Sequence, residues 1–445
     1  MKIDFPSPTA ALLLLLALSA CKESSPPEPA DGANSQGVPE EKLVATSRDV
    51  LLITSPELVD AWQPLADWKA KRGKETMILS TTAIEENYDG PDLQEKIRLC
   101  VRDHIENHGT KWVILGGDSS PDGGGIVPDR DTVHTAFGQT DKDIATDIYY
   151  LSATDWDADK DGIYGEFADD QEAISYPDGS VGLGRIPVRT AEDVAAYTEK
   201  VISYESRYPQ GEFARTIIYT CTEPGAYAKV RRSWDDHVSR VLPEGTMHRY
   251  FASETPWDGD TPGDHDLTPT NWISLINGKT AGKLHFHGHG LFHCWVLEND
   301  KMFTSEHIDQ LTNQDAYPII TTVSCFTGQF DSEEDPCITE SMLRAPKAGA
   351  VAIVAPCREG KPHFLNPRQD FPLMVREGKM DGTTTTMTLF WKHGIGDELT
   401  TGEALMKTKG ILEPKARQSA SYHMCLAELN LLGDPTLAVH PTATE

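Results

Sequence analysis

Short apolar runs alternate along the chain with stretches whose apolar residues recur every three or four positions. The first run, Asp49-Val50-Leu51-Leu52-Ile53-Thr54, reads as a strand. Leu58, Trp62, Leu65 and Trp68 then fall at helical spacing and predict a helix over 57–71, ended by Gly73. A second strand is read at 76–79 and a second amphipathic helix from Leu93, Ile97, Val101 and Ile105. A third strand at 112–115 runs into Gly116-Gly117-Asp118. This alternation of strand and helix predicts a parallel, doubly wound sheet. Residues 118–178 are acidic and carry no period, so they read as irregular; order returns at 181–187 and in a helix from 190 to about 208. Gly211 marks a boundary. Beyond it a second α/β unit carries strands at 216–221, 283–289, 317–324 and 349–355. The fold class expected is α/β, as two adjacent parallel-sheet subdomains over residues 47–209 and 210–440.

Active sites of open α/β sheets collect outside the carboxyl ends of strands. His289 ends the strand that begins at Lys283, and Cys325 ends the strand that begins at Tyr317. A thiol there, followed by Phe326-Thr327-Gly328-Gln329, meets a loop rather than a strand interior. Attack on a peptide carbonyl needs a thiolate, an imidazole to protonate the leaving amine, and donors for the oxyanion. His289 supplies the imidazole, and the backbone N–H groups of Gly290 and Cys325 supply donors. Taken alone, one His and one Cys leave a buried structural cysteine as the ordinary reading.

Two further patterns carry metal chemistry. His285, His287 and His289 alternate on one face of a strand, a set that could serve a zinc-dependent hydrolase, although no carboxylate joins it. In DWDADKDGIYGE, Asp155, Asp157, Asp159 and Asp161 alternate, and Glu166 stands twelfth when Asp155 is counted first. Hard oxygen donors at this spacing suggest a structural Ca²⁺ loop. The sixth position, where such loops need glycine, is Lys160; a frame shifted by two places Gly162 there and keeps Asp157, Asp159 and Asp161.

Composition adds the setting. Lys2 precedes the apolar run ALLLLLALSA, Ala11 to Ala20, too short to span a bilayer and suited to a signal peptide over 1–20. Leu18-Ser19-Ala20-Cys21 resembles a bacterial lipobox, which makes Cys21 the expected acylation site and 21–46, rich in Pro, Ser and Glu, a disordered tether. The expectation is export and anchoring to the cell envelope, or secretion, with the membrane met only through the lipid. With 69 acidic against 40 basic residues and a net charge of −29, the chain repels nucleic acid. Besides Cys21 there are seven cysteines, an odd number, with no CxxC pair among them.

The ordered set of motifs resembles the gingipain-type cysteine peptidases, relatives of caspases and clostripain. It comprises Gly288-His289-Gly290 with Trp295, TTVSCFTGQFD with Cys325 36 positions after His289, and the flanking ILGGD, Val127-Pro128, TDIYY, GLGRIPVRT, ITESMLRAPKAGAVAIVAP and LLGDPTL. The resemblance covers residues 48 to 440. It implies two caspase-like subdomains, with the dyad on the second alone. It also implies a Cys–His endopeptidase working on protein or peptide substrates through a thioester acyl-enzyme, with no cofactor for catalysis. Asp147, in TDIYY, falls where the family places an acidic residue that orients the histidine. The chief rival is a non-catalytic surface-binding lipoprotein on the same scaffold.

Overall fold

The computed structural model describes residues 48–119, 125–136, 139–207, 211–222, 238, 247–251, 266–297, 301–332, 336–360 and 382–440. The expected signal segment, Cys21 and tether lie outside the described residues. The first third folds as β1 (Val50–Thr54), α1 (Gln63–Lys71), β2 (Thr76–Ser80), α2 (Thr81–Asn87), α3 (Leu93–His108) and β3 (Trp112–Gly116). The helix expected from residue 57 is broken: single 3₁₀ turns at Pro56–Leu58 and Asp60–Trp62 precede α1. Pro64 has no N–H to give to a preceding turn, so the α-helix starts afresh beside it. Asp92 caps α3 by accepting from the Glu95 amide, and Gly109, at φ +75°, ends it.

The acidic stretch read as irregular contains an antiparallel hairpin, β4 (Arg130–Ala136) and β5 (Gln139–Thr146). Its few buried apolar side chains, among them Val133, Ile144 and Ala145, sit amid polar neighbours, so no alternation stood out. β6 (Gly182–Ile186), α4 (Ala191–Arg207) and α5 (Gly211–Arg215) lead into β7 (Thr216–Cys221) and β8 (Met247–Phe251). Then come α6 (Pro269–Asn277), β9 (Lys283–His287), a small sheet of β10 (Gly290–Leu291), β11 (Cys294–Val296) and β12 (Met302–Thr304), and β13 (Ile319–Val323). The chain closes with α7 (Ile338–Arg344), β14 (Ala352–Pro356), α8 (Gly382–Gly396), α9 (Thr401–Ala416), α10 (Ala420–Ala427) and β15 (Leu429–Gly433).

The main sheet has the order β2-β1-β3-β6-β15-β14-β13-β9-β7-β8. Every neighbouring pair is parallel except β14 with β15. Two parallel runs of opposite polarity therefore meet at one antiparallel seam. The boundary expected at 209/210 falls between the two sets of strands, with one exception. β15, from the end of the chain, crosses back to lie against β6 and extends the first run. The two sets share one sheet, and residues 45–445 form a single compact unit. Strands β1, β6, β7, β9, β13, β14 and β15 are buried along their whole length, as the near-continuous apolar runs require.

Just past β15, Asp434 is fully buried and its carboxylate lies 2.7 Å from the Lys69 ammonium, which also meets Glu205 at 3.0 Å. Burial alone would lower the Lys69 pKa, but the two carboxylates outweigh it and raise it. Tyr197 accepts the Asp434 amide at 2.7 Å and donates to the Val351 carbonyl at 2.6 Å, which ties the seam to α4. Replacing Lys69 with Met leaves the buried Asp434 carboxylate without its cation and Glu205 with Arg72, 3.9 Å away. Urea unfolding should then show a loss of about 3–5 kcal/mol; a loss below about 1 kcal/mol would mean that the carboxylates do not depend on Lys69.

Candidate active site

β9 and β13 run side by side in register, from Lys283 opposite Ile319 to His287 opposite Val323. β9 ends two residues and β13 one residue earlier than their apolar runs suggest. His289 and Cys325 each stand two residues beyond the last pair, at the same edge of the sheet. The turn is tied to the loop twice: the Gly288 amide donates to the Val323 carbonyl at 3.3 Å, and Ser324 Oγ donates to the Gly288 carbonyl at 3.1 Å. At Gly290 a Cβ would lie 2.6 Å from Thr327 Cγ2, 2.7 Å from Ser324 Cβ and 3.0 Å from the Cys325 carbonyl oxygen. Only glycine lets the histidine turn press this closely on the nucleophile loop. His289 is exposed and Cys325 half-buried.

Each half of the pair has its own support. The His289 carbonyl accepts the Val296 amide at 2.9 Å, and Gly290 pairs with Trp295 across β10 and β11. Trp295 is fully buried, stacked on Phe303 and edge-on to Trp272, so the small sheet holds the turn rigidly. On the other side, Phe326 takes φ +60°, a left-handed conformation in a bulky residue, directly after the nucleophile. Its amide donates to the Arg358 carbonyl at 2.7 Å, and the Gly328 amide to the Pro356 carbonyl at 3.0 Å. The Arg358 side chain is fixed in turn by Asp331, at 3.0 and 2.5 Å, and by the Asp143 carbonyl. Arg358 lies in no recognised motif, and Asp331, although it ends the TTVSCFTGQFD run, was given no role by sequence reasoning. Nor were Asp129 and Asp131, whose carboxylates converge with that of Asp331 to within 4.8 Å.

Burial, with Glu428 and Glu359 adding repulsion, pushes the Cys325 thiol up to about 11 against the pull of the Gly360 amide. At neutral pH the resting site therefore holds a thiol. The neighbouring imidazoles of His285 and His287 are buried. Burial first, and mutual repulsion second, drives His285 well below its ordinary pKa. Burial and then His289 bring His287 to about 4. His285 Nδ1 pairs with Thr321 Oγ1 at 2.8 Å and its ring stacks on Tyr219. Among the described residues, none of the clusters able to gather three metal donors contains His285, His287 or His289. His285 and His287 thus form part of the buried strand beneath the turn.

Asp147 is buried, and both its oxygens are taken by Arg185, at 2.9 and 2.6 Å, while its amide donates to Asn430 Oδ1 at 3.1 Å. Arg185 also donates to the carbonyls of Gly117 and Val127 and lies over the Phe330 ring. The contacts of Asp147 join β6 to β15, and Arg185 carries them on to Phe330, in the segment after Cys325. None of them is a bond to His289.

In the acidic loop, Asp157, Asp159 and Asp161 bring oxygens within 4.8 Å of one another. The Asp161 amide donates to Asp157 Oδ1 at 3.0 Å, and the amide of Gly162, at φ +83°, to Asp157 Oδ2 at 3.3 Å. Asp155 turns away to pair with Lys160 at 2.5 Å. The Glu166 amide donates to Asp170, whose other oxygen accepts the Ala158 amide. Glu166 itself is raised by desolvation and then by Asp161, Asp169 and Asp170. The buried Asp170, which no spacing indicated, ties the two ends of the loop together.

Residues 44–440 match Peptidase family C25. The chain belongs to that family. Its relatives include gingipain R2 of Porphyromonas gingivalis, 23% identical over 69% of this chain and 36% of the relative. Lys-gingipain of the same organism is 22% identical over 70% of this chain and 16% of the relative. The chain thus spans about a third or less of the length of these curated relatives. Among solved structures, the Arg-specific cysteine proteinase gingipain R superposes with a TM-score of 0.59 at 20% identity, covering 91% of this chain and 81% of that one. The complex of gingipain RgpB pro- and mature domains from Porphyromonas gingivalis gives 0.58 at 20% identity, over 88% and 80%. These likenesses establish the α/β fold of the C25 chain.

Seven cysteines fall in the described residues, all as free thiols, and of these only Cys325 is not buried. Among these seven, iodoacetamide should therefore alkylate Cys325 first in the substrate-free C25 chain, as peptide mapping would show. With the thiol at about 11, the rate should keep climbing with pH through the alkaline range. A plateau at neutral pH would instead reveal a thiolate already formed.

Proposed function

We propose that this C25 chain is a cysteine endopeptidase with Cys325 as nucleophile and His289 as proton carrier. The observation that supports it is the in-register pairing of β9 with β13, which leaves both side chains two residues beyond the His287–Val323 pair. Because Cys325 is protonated at rest, its proton passes to His289 as Sγ attacks the scissile carbonyl carbon. The amides of Gly290 and Cys325 receive the oxyanion. His289 then gives the proton to the leaving amine as the C–N bond breaks, and water hydrolyses the thioester with the same imidazole as base. Asp147 contributes through Arg185, by fixing the scaffold behind the nucleophile. Cleavage after Arg or Lys is the preference to test first, since relatives carry those residues in their names.

The substrates are proteins or peptides, met outside the cell by an enzyme tethered through Cys21. Among the described residues no helix is long and apolar enough to cross a membrane. Cys325→Ala should lower turnover of a peptide library by at least about 10³-fold with an unchanged circular dichroism spectrum. His289→Ala should lower it by about 10²–10⁴-fold. Full activity in Cys325→Ala would end the mechanism, and an inactive parent protein would favour the binding-lipoprotein reading.

The acidic loop is read as a structural calcium site made of Asp157, Asp159 and Asp161. Three carboxylates this close repel one another, and a divalent cation removes that cost. Calcium at a hundredfold excess over its Kd should stabilise the fold by about 2.7 kcal/mol, seen as a higher melting temperature. Asp157→Ala combined with Asp159→Ala should remove the shift, whereas Asp155→Ala, already committed to Lys160, should keep it. An unchanged shift in the double variant would make the loop a solvated acidic surface.

A further inference from the structure

We propose that the last turn of α3 carries a zinc site formed by His104, His108 and Asp103. Four residues apart on one helix, His104 and His108 share a face. Their ring centroids lie 4.7 Å apart with the planes tilted by 42°. Asp103 Oδ2 is 4.0 Å from His108 Nε2, and one donor atom from each of the three residues lies within 4.8 Å of the other two. Around zinc, with bonds of about 2.0–2.2 Å, tetrahedral N and O donors stand roughly 3.3–3.5 Å apart, so small side-chain rotations close this set.

Two further observations point to a ligand. His104 is 1% exposed, and its Nδ1 is a buried polar atom with no hydrogen-bond partner. Such an atom is costly in a folded protein unless something meets it. Asp103 is already oriented as carboxylate ligands usually are, by Tyr88 Oη donating to Oδ2 at 2.9 Å and Asn107 Nδ2 donating to Oδ1 at 2.7 Å. Two imidazoles and one carboxylate, with a fourth position open to water, suit zinc rather than calcium. Cys100 lies one turn back on the same helix, but its sulfur is not among the donors that converge with Asp103, His104 and His108. The metal would staple the helix end where the Gly109 and Thr110 amides both return to the His104 carbonyl before the chain enters β3.

The test uses the full chain carrying Cys325→Ala, which removes the accessible competing thiol, in excess calcium to occupy the acidic loop. Zinc is titrated calorimetrically, and cobalt(II) replaces it as a spectroscopic probe. One zinc should bind, and the cobalt form should show tetrahedral visible bands without a thiolate charge-transfer band. Adding His108→Ala, at a half-exposed position, should weaken zinc at least tenfold; Asp103→Asn, which keeps the shape of the side chain, should weaken it in the same direction. The proposal is overturned by no zinc binding, by equal affinity in parent and both variants, or by a thiolate band. If His108→Ala does not fold, Asp103→Asn alone decides by the same criterion.

Discussion

Parallel hydrogen bonding between β9 and β13 is the constraint on which the site depends. Parallel strands about 4.8 Å apart, held in register over five pairs, leave no freedom in where their ends emerge. A one-residue slip would turn His287 and Val323 to opposite faces and part the histidine turn from the nucleophile loop. The register is enforced by burial of both strands along their whole length and by polar groups that fit only one alignment. Thr321 Oγ1, for example, meets both His285 Nδ1 and Trp391 Nε1 at 2.8 Å.

Behind that edge, buried charges do what apolar packing alone does not. Arg185 and Asp147 join β6 to β15 through Asn430, and Lys69 and Glu205 hold Asp434, just past β15, to α1 and α4. Buried ion pairs are poor sources of net stability but penalise every arrangement that leaves one partner alone. Here they specify that β15, and no other strand, fills the gap between β6 and β14. Without it the first half of the chain would expose a long sheet edge beside the active site.

The nucleophile combines strain with protection. Phe326 in a left-handed conformation is tolerated because its amide, the Gly328 amide and the Thr327 hydroxyl are all satisfied by fixed partners. Arg358, clamped by Asp331, supplies one of those partners from the end of β14. The same crowding desolvates Cys325 and keeps it a thiol, so in the proposed mechanism attack waits for a base rather than proceeding from a standing thiolate. Reactivity and architecture are thus coupled through the backbone of one turn.

Local pattern determined a good deal. Apolar runs gave away β1, β3, β7, β9, β13 and β14 because strands buried on both faces must be apolar throughout, and α3 and α4 because their buried stripes repeat at helical spacing. His289 and Cys325 stood out as candidates for the same reason, as reactive side chains placed just past such runs. What escaped was whatever depends on residues far apart in the chain. The β4–β5 hairpin is too polar to announce itself, α8 is buried almost all round and shows no face, and β15 is five residues whose place is set by strands some 75 and 250 positions earlier. Asp147 reads the same whether it meets His289 or Arg185, and Asp155 the same whether it faces a cation or Lys160. Those choices belong to the tertiary structure, because a carboxylate takes the cation that folding brings within hydrogen-bonding distance, and spacing along the chain carries no record of that distance.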